Sequence, residues 1–146
     1  MNTNNIIIRE FTVDDYEQVT ALWTEAGINY RPNGRESRSH LAKELQGGQA
    51  IFLVAEADKK VVGVVLGTHD GRKGWINRLA VAKDFRRQNI ASKLVTTLEL
   101  QMKALGLDIT AGLIEPENAV SKSFFNKMGY TKLPVEYFSK RQSPDA

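Results

Sequence analysis

The stretch Trp75-Ile76-Asn77-Arg78-Leu79-Ala80-Val81-Ala82-Lys83-Asp84-Phe85-Arg86-Arg87-Gln88-Asn89-Ile90-Ala91-Ser92-Lys93-Leu94 decides how this chain is read. Trp75–Val81 is strand-like. From Ile90 onward the apolar residues Ile90, Ala91, Leu94, Val95, Leu98, Met102 and Leu105 recur at helical spacing, and Gly106 is placed to stop the run. The chain therefore passes from a strand through a short turn into a long amphipathic helix. A helix N-terminus carries free backbone N–H groups and the positive end of the dipole, which suits a phosphate. Ala91 and Ser92 are small enough for an anion to approach the backbone closely, and Arg86 and Arg87 add charge. An ordinary strand–helix turn with solvated arginines has the same pattern, so the turn alone does not decide between the two.

Upstream, Ile6–Ile8 reads as a short strand. Thr12 with Asp15 forms an acidic capping box ahead of Val13, Tyr16, Val19, Leu22, Trp23 and Ala26, a helical run stopped by Gly27. Ile28–Arg35 is a loop, and Ser37 caps a shorter helix with Leu41, Ala42 and Leu45 that ends at Gly47-Gly48. Ala50–Ala57 and Val61–Thr68 are β-branched apolar runs joined across Asp58-Lys59-Lys60, a hairpin. Downstream, Ile109–Ile114 is a strand, Ala119–Met128 a helix ending at Gly129, and Tyr130–Phe138 a final strand interrupted near Pro134. The predicted order is β-α-α-β-β-β-α-β-α-β: an α/β fold with a mixed central sheet and helices on both faces.

The 146 residues suit a single domain, 1–146, that can bury a real core; 42% are hydrophobic and 25% charged, as in globular proteins. Only the ends, Met1–Asn5 and Ser139–Ala146, are polar enough to fray. With zero cysteines, disulfides, thiolate nucleophiles and Cys-ligated metals are excluded, and two histidines make a His-rich metal site an unfavourable reading, so no metal is expected. A net charge of +3 is too small to argue for nucleic acid and compatible with a pocket for a phosphate-bearing cofactor. No apolar run is long enough to span a membrane, and Met1–Asn5 lacks the features of a signal peptide, so the expected location is cytoplasmic.

The segment Phe85–Leu94 resembles the acetyl-CoA loop of the GNAT superfamily of N-acetyltransferases, Gln/Arg-x-x-Gly-x-Gly/Ala between a strand and a long helix. Arg86 stands at the first position and Ala91 at the last; Asn89 replaces the central glycine, and asparagine is the next most tolerant residue for a left-handed backbone. A second match lies where the family has it: Asn118-x-x-Ser121-x-x-Phe124-Phe125-x-Lys127-x-Gly129-Tyr130 is similar to Asn-x-x-Ala-x-x-Phe/Leu-Tyr-x-x-x-Gly-Phe/Tyr. The resemblance spans residues 6–138, and Asp70–Trp75 is similar to small stand-alone bacterial and archaeal members.

The resemblance implies acetyl-CoA as co-substrate and direct transfer to a primary amine of a small molecule, a peptide N-terminus or a lysine. Leu79, Ala80 and Val81 would pair with the pantetheine arm as a strand, with a Leu79 backbone group also serving the oxyanion. The N–H groups of Arg87, Gln88, Asn89, Ile90, Ala91 and Ser92, with Arg86 beside them, would hold the pyrophosphate. Asn118 would bond the pantetheine or diphosphate end, or act simply as a helix N-cap reaching Ser121. Phe125 is a core or cofactor-facing group, and stands where the family has a tyrosine that reprotonates the thiolate. The family's glutamate base is also missing from Trp75–Leu79; Glu115 and Glu117, just after the next strand, are the nearest candidates, unless they are merely solvated. The loop Ile28–Ser39, with Tyr30, Arg31 and Glu36, is expected to wall the amine acceptor. An exposed final strand would offer a homodimer contact. Two other functions compete: an acyl-CoA-binding sensor or interaction module of the same fold without turnover, and a Rossmann-type nucleotide-binding domain. The second ranks low because Gly-x-Gly-x-x-Gly and a βαβ unit are both absent.

Overall fold

The computed structural model describes residues 5–146. Its elements are β1 (Ile7–Glu10), α1 (Tyr16–Glu25), α2 (Arg38–Gln46), β2 (Ala50–Ala57), β3 (Lys60–His69), β4 (Gly74–Val81), α3 (Ile90–Ala104), β5 (Thr110–Gly112) and α4 (Ala119–Lys127), with 3₁₀ turns at Val13–Asp15 and Lys83–Phe85. Most of the expected N-terminal fray, Met1–Asn5, lies outside the described residues.

One five-stranded sheet runs β1-β2-β3-β4-β5. Neighbours are antiparallel up to β4, and β5 joins β4 in parallel. The sheet is covered on both faces, which is why β2 and β3 are almost continuously apolar rather than alternating. Leu53, Ala55, Val62, Val65 and Ile76 face α3, which buries Leu94, Val95, Leu98 and Met102 against them. Phe52, Val54, Val64 and Leu66 face Val19, Leu22 and Trp23 of α1 and Leu41 of α2. The approach of α3 is close enough to require glycine beneath it: a Cβ on Gly67 would lie 2.7 Å from Leu98 Cδ1, and one on Gly74 would run into the Met102 sulfur.

Local signals set the element ends. The Thr12 N–H donates to Asp15 Oδ2 at 2.8 Å, and the same buried carboxylate takes a two-pronged bond from Arg9 at 2.9 and 2.8 Å. Ser37 Oγ accepts from the His40 N–H at 3.2 Å and starts α2. Asp58 and Lys59, with φ of 49° and 67°, form the two-residue turn of the β2–β3 hairpin.

Two expectations are corrected. The strand expected over Ile109–Ile114 spans only Thr110–Gly112, because its partner β4 carries a bulge immediately after Ile76 and pairing stops at Ile76–Gly112. The last strand of the predicted order, Tyr130–Phe138, does not form. The Tyr130 N–H bonds back to the Phe125 carbonyl, the Val135 N–H to the Leu133 carbonyl, and no ladder reaches this segment. Pro134 has no N–H to offer, and Leu133, Val135, Tyr137 and Phe138 are 65–88% exposed.

Candidate functional site

The site begins at the β4 bulge. Leu66 pairs with Arg78 and Gly67 with Ile76, so Asn77 is the extra residue, its side-chain amide held by Thr68 Oγ1 at 2.8 Å. The bulge diverts β4 from β5, whose last pair is Ile76–Gly112. Beyond it, Leu79–Val81 has β3 on one side and no strand on the other. The backbone parity can be followed. The Gly74 N–H donates toward β5, to the Ile109 carbonyl, while the Ala82 N–H donates to Val62 of β3. Leu79 and Val81 share the α3-facing side with Ile76, so their backbone groups point away from β3 into the opening. The Arg86 Nε already occupies one of them, donating to the Val81 carbonyl at 3.2 Å. Ala80 has the opposite parity and faces the α1 side.

At the mouth of this opening lies the turn into α3. Arg87 has φ 66° and Asn89 φ 62°, ψ 20°, both left-handed. Asn89 thus adopts the backbone that the family's glycine serves, as expected; the left-handed Arg87 was not anticipated, and no local signal marks it. Left-handed geometry costs an ordinary L-residue about 1–2 kcal/mol, and such strain persists where the surroundings enforce it. The first helical bond runs from the Lys93 N–H to the Asn89 carbonyl. Among the described residues, no acceptor meets the N–H groups of Arg87, Gln88, Asn89, Ile90, Ala91 or Ser92. Six consecutive donors without an acceptor among the described residues therefore lie at the positive end of a 15-residue helix. The Ser92 hydroxyl is turned inward, onto the Asn89 carbonyl at 2.9 Å.

The later motif splits. Asn118 caps α4, its Oδ1 accepting the Ser121 N–H at 3.0 Å, and its amide nitrogen makes no bond among the described residues. Phe125 is buried, with its ring edge-on to Phe124 and Tyr130 at 5.2 and 5.0 Å. It is a core residue. The Tyr130 hydroxyl is also committed, donating to Glu99 Oε2 at 2.6 Å and lying 2.8 Å from Thr110 Oγ1. Burial first, and the neighbouring Glu99 second, push its pKa well above the ordinary phenol range. Glu115 and Glu117 are exposed in the turn between β5 and α4 and make no side-chain bond among the described residues.

The wall loop comes to β4 through one residue. Glu36 is buried; its carboxylate accepts the Arg31 N–H at 2.7 Å, forms an ion pair with Arg35 Nε at 2.9 Å, and lies 3.8 Å from the Arg78 guanidinium. The Tyr16 hydroxyl donates to the Glu36 carbonyl at 2.8 Å. Tyr30 packs on Trp23 with ring centres 5.2 Å apart. Of the expected acceptor residues, Glu36 and Tyr30 therefore brace the wall, whereas the Arg31 side chain makes no bond among the described residues. Sequence reading missed Arg78. Its signal was the one charged residue in the strand Gly74–Val81. Burial pulls the Arg78 pKa down; Glu36 offsets part of this, while Arg35 and Arg31 add to the fall.

Three comparisons bear on this geometry. A model of the acetyltransferase (GNAT) family matches residues 12–130. An acetyltransferase from Pectobacterium atrosepticum is 30% identical over 138 residues, covering 94% of this chain and 96% of its own. Among solved structures, the PaiA N-acetyltransferase of Thermoplasma acidophilum in complex with coenzyme A superposes with a TM-score of 0.78 at 23% identity, covering 90% of this chain and 92% of its own. An aminoglycoside acetyltransferase from an uncultured soil metagenomic sample, in complex with sisomicin, gives 0.78 at 18% identity over 95% and 98% of the two chains. Both likenesses in structure are likenesses of fold.

Proposed function

Because this chain belongs to the acetyltransferase (GNAT) family, whose co-substrate is acetyl-CoA, we propose that it transfers an acetyl group from acetyl-CoA directly to a primary amine. The observation that carries the proposal is the pairing of two features. Six N–H groups at the start of α3 have no acceptor among the described residues, and the edge of β4 at Leu79–Val81 has no partner strand on the side away from β3. The first feature suits a pyrophosphate; the second suits an extended, amide-bearing arm that pairs as a strand would. The residues present thus fit the co-substrate.

When bound, acetyl-CoA supplies an activated thioester carbonyl. The chain's own part is to hold and polarise. Arg87–Ser92 bind through backbone N–H groups, with Arg86 and Arg87 adding charge. Leu79 and Val81 offer the strand edge, and a Leu79 N–H aimed into the opening would stabilise negative charge on the carbonyl oxygen. The amide nitrogen of Asn118 is available to the arm. Phe125 supports the site from the core rather than touching the arm. The attacking amine must shed a proton; Glu115 and Glu117 are the solvated carboxylates offered for it. The departing thiol, with a reference pKa of about 8.5, leaves acceptably without an acid.

The test is Ala91→Glu. A carboxylate among the six donors crowds and repels a pyrophosphate, so acetyl-CoA affinity should fall by at least about tenfold with the far-UV spectrum unchanged. Unaltered affinity overturns the assignment of this loop. Two observations favour a second reading, an acyl-CoA-binding module without turnover: Phe125 is enclosed and β4 carries no carboxylate. An amine panel with thiol detection separates the two, since the enzyme releases CoA only when an amine is present. A homodimer through the exposed side chains Leu133, Val135 and Tyr137 is tested by light scattering of wild type and Val135→Lys. No helix among the described residues is long and apolar enough to cross a membrane.

A further inference from the structure

Charge around the bulge is lopsided. Arg78, Arg35 and Arg31 all act on the same region; Glu36 faces Arg78 and Arg35, and Glu44 also acts on Arg35. The Glu36 carboxylate accepts the Arg31 N–H and pairs with Arg35 at 2.9 Å, and it meets Arg78 only at 3.8 Å. The remaining Arg78 contacts do not repair this: one terminal nitrogen donates to the carbonyl of Asn77, and Nε is buried with no acceptor among the described residues. The next arginine along, Arg38, is already matched, paired with Glu17 at 2.5 Å and stacked over Tyr16. Arg35 is matched too, by Glu36 at 2.9 Å and by the nearby Glu44, so the excess of positive charge belongs to Arg78 and Arg31.

Its position gives it meaning. Arg78 is the residue immediately before Leu79, so the two Cα atoms are about 3.8 Å apart. The Leu79 backbone opens toward the gap beside β5, whereas Arg78 stands on the side of the sheet covered by α1 and the wall loop. A molecule entering between that loop and β4 meets guanidinium groups a short step from the strand edge. A buried donor without an acceptor is costly, and a guanidinium satisfies carboxylate or phosphate oxygens in its own plane.

We propose that the acceptor is an amine that also carries an anionic group, a carboxylate or a phosphate a few bonds from its nitrogen, and that Arg78 and Arg31 hold that group. The assignment rests on the acetyl-transfer reading and narrows it. A polycationic amine would face the Arg78 and Arg31 guanidinium groups beside a Glu36 carboxylate that is already engaged, which is repulsive. An anion-bearing amine instead offers an acceptor to the terminal Arg78 nitrogen that meets Glu36 only at 3.8 Å, and is oriented by it, with the uncharged end left to reach the carbonyl.

The experiment separates binding from chemistry. The full-length protein is saturated with CoA, which cannot react, and titrated by calorimetry with matched pairs: β-alanine against its amide, O-phosphoethanolamine against ethanolamine, and spermidine as a polycation. The anionic member of at least one pair should bind at least about tenfold more tightly than its neutral mate, and the pair that does so identifies carboxylate or phosphate. Arg78→Gln should erase the preference and Arg78→Lys restore part of it. Arg31→Gln, at a side chain without bonds, should reduce the preference even if the Arg78 variants fail to fold. Equal or tighter binding of neutral or cationic members, or a preference untouched by Arg31→Gln, overturns the proposal. Thiol release with acetyl-CoA is scored separately: anion-selective binding without release would sink the transfer reading and leave the charge selectivity standing.

Discussion

Asn89 gives the sharpest test of how the α3 turn works. Its φ of 62° is left-handed, a geometry that costs about 1–2 kcal/mol for a residue with an ordinary Cβ and more for a β-branched one. Asparagine bears this better than most, and glycine best. Asn89→Val should therefore lose about 1–2 kcal/mol that Asn89→Gly does not lose. Where the loss appears depends on the loop. If the free protein holds the turn as firmly as the bound one, the penalty falls on folding and the denaturant midpoint drops while acetyl-CoA affinity is kept. If the free loop relaxes and must return to the left-handed form to aim its N–H groups, the penalty falls on binding, and affinity drops about 5- to 30-fold. Stability and affinity measured on the same preparations should together account for the whole. Asn89→Gly should match or exceed wild type in affinity. Weaker binding by the glycine variant, or a valine variant unchanged in both measurements, would refute the argument that a left-handed residue 89 presents the donors.

Glu36→Ala removes the buried carboxylate that anchors Arg31 and Arg35 to β4. The amine KM should change while the acetyl-CoA KM stays near wild type, and a change confined to acetyl-CoA would move this loop to the cofactor side. Tyr130→Phe deletes a phenol that donates to Glu99, which should lower stability by about 1.5–3 kcal/mol and leave kcat unaltered. A large fall in kcat at unchanged KM values would make Tyr130 the missing acid. Asp15 is held below the ordinary carboxylate range chiefly by its bond to Arg9. Its contribution to stability is therefore complete above the unfolded value, about 3.9, and is lost as pH falls through the lower folded value. Asp15→Asn should cost about 1–3 kcal/mol at neutral pH, with a flatter acid limb in a pH series of urea melts; parallel curves for the two proteins would contradict this.

Local rules carried most of the element assignments. Helical spacing in Ile90–Leu105, β-branched runs around Asp58-Lys59, Ser37 and Asn118 as caps, and left-handed glycines at helix ends each act within a few residues, so they can be read one window at a time. The left-handed Asn89 was legible for the same reason, since its tolerance for that backbone belongs to the side chain itself. The resemblance of two motifs then supplied what spacing alone left open, the choice between a bound anion and a plain turn. Tertiary structure decided everything that depends on a partner remote in sequence. Whether Tyr130–Phe138 becomes a strand depends on an edge to pair with, and alternating apolar residues do not provide one. The bulge at Asn77 exists only in the register against β3, and it frees the edge at Leu79. Phe125 and Tyr130 look alike as candidate catalytic aromatics until packing encloses one and hydrogen-bonds the other to Glu99. Arg78 and Glu36 meet across the wall loop because the fold brings α1, α2 and β4 together. A charge pattern of that kind is a sum over three-dimensional distances, which no one-dimensional period encodes.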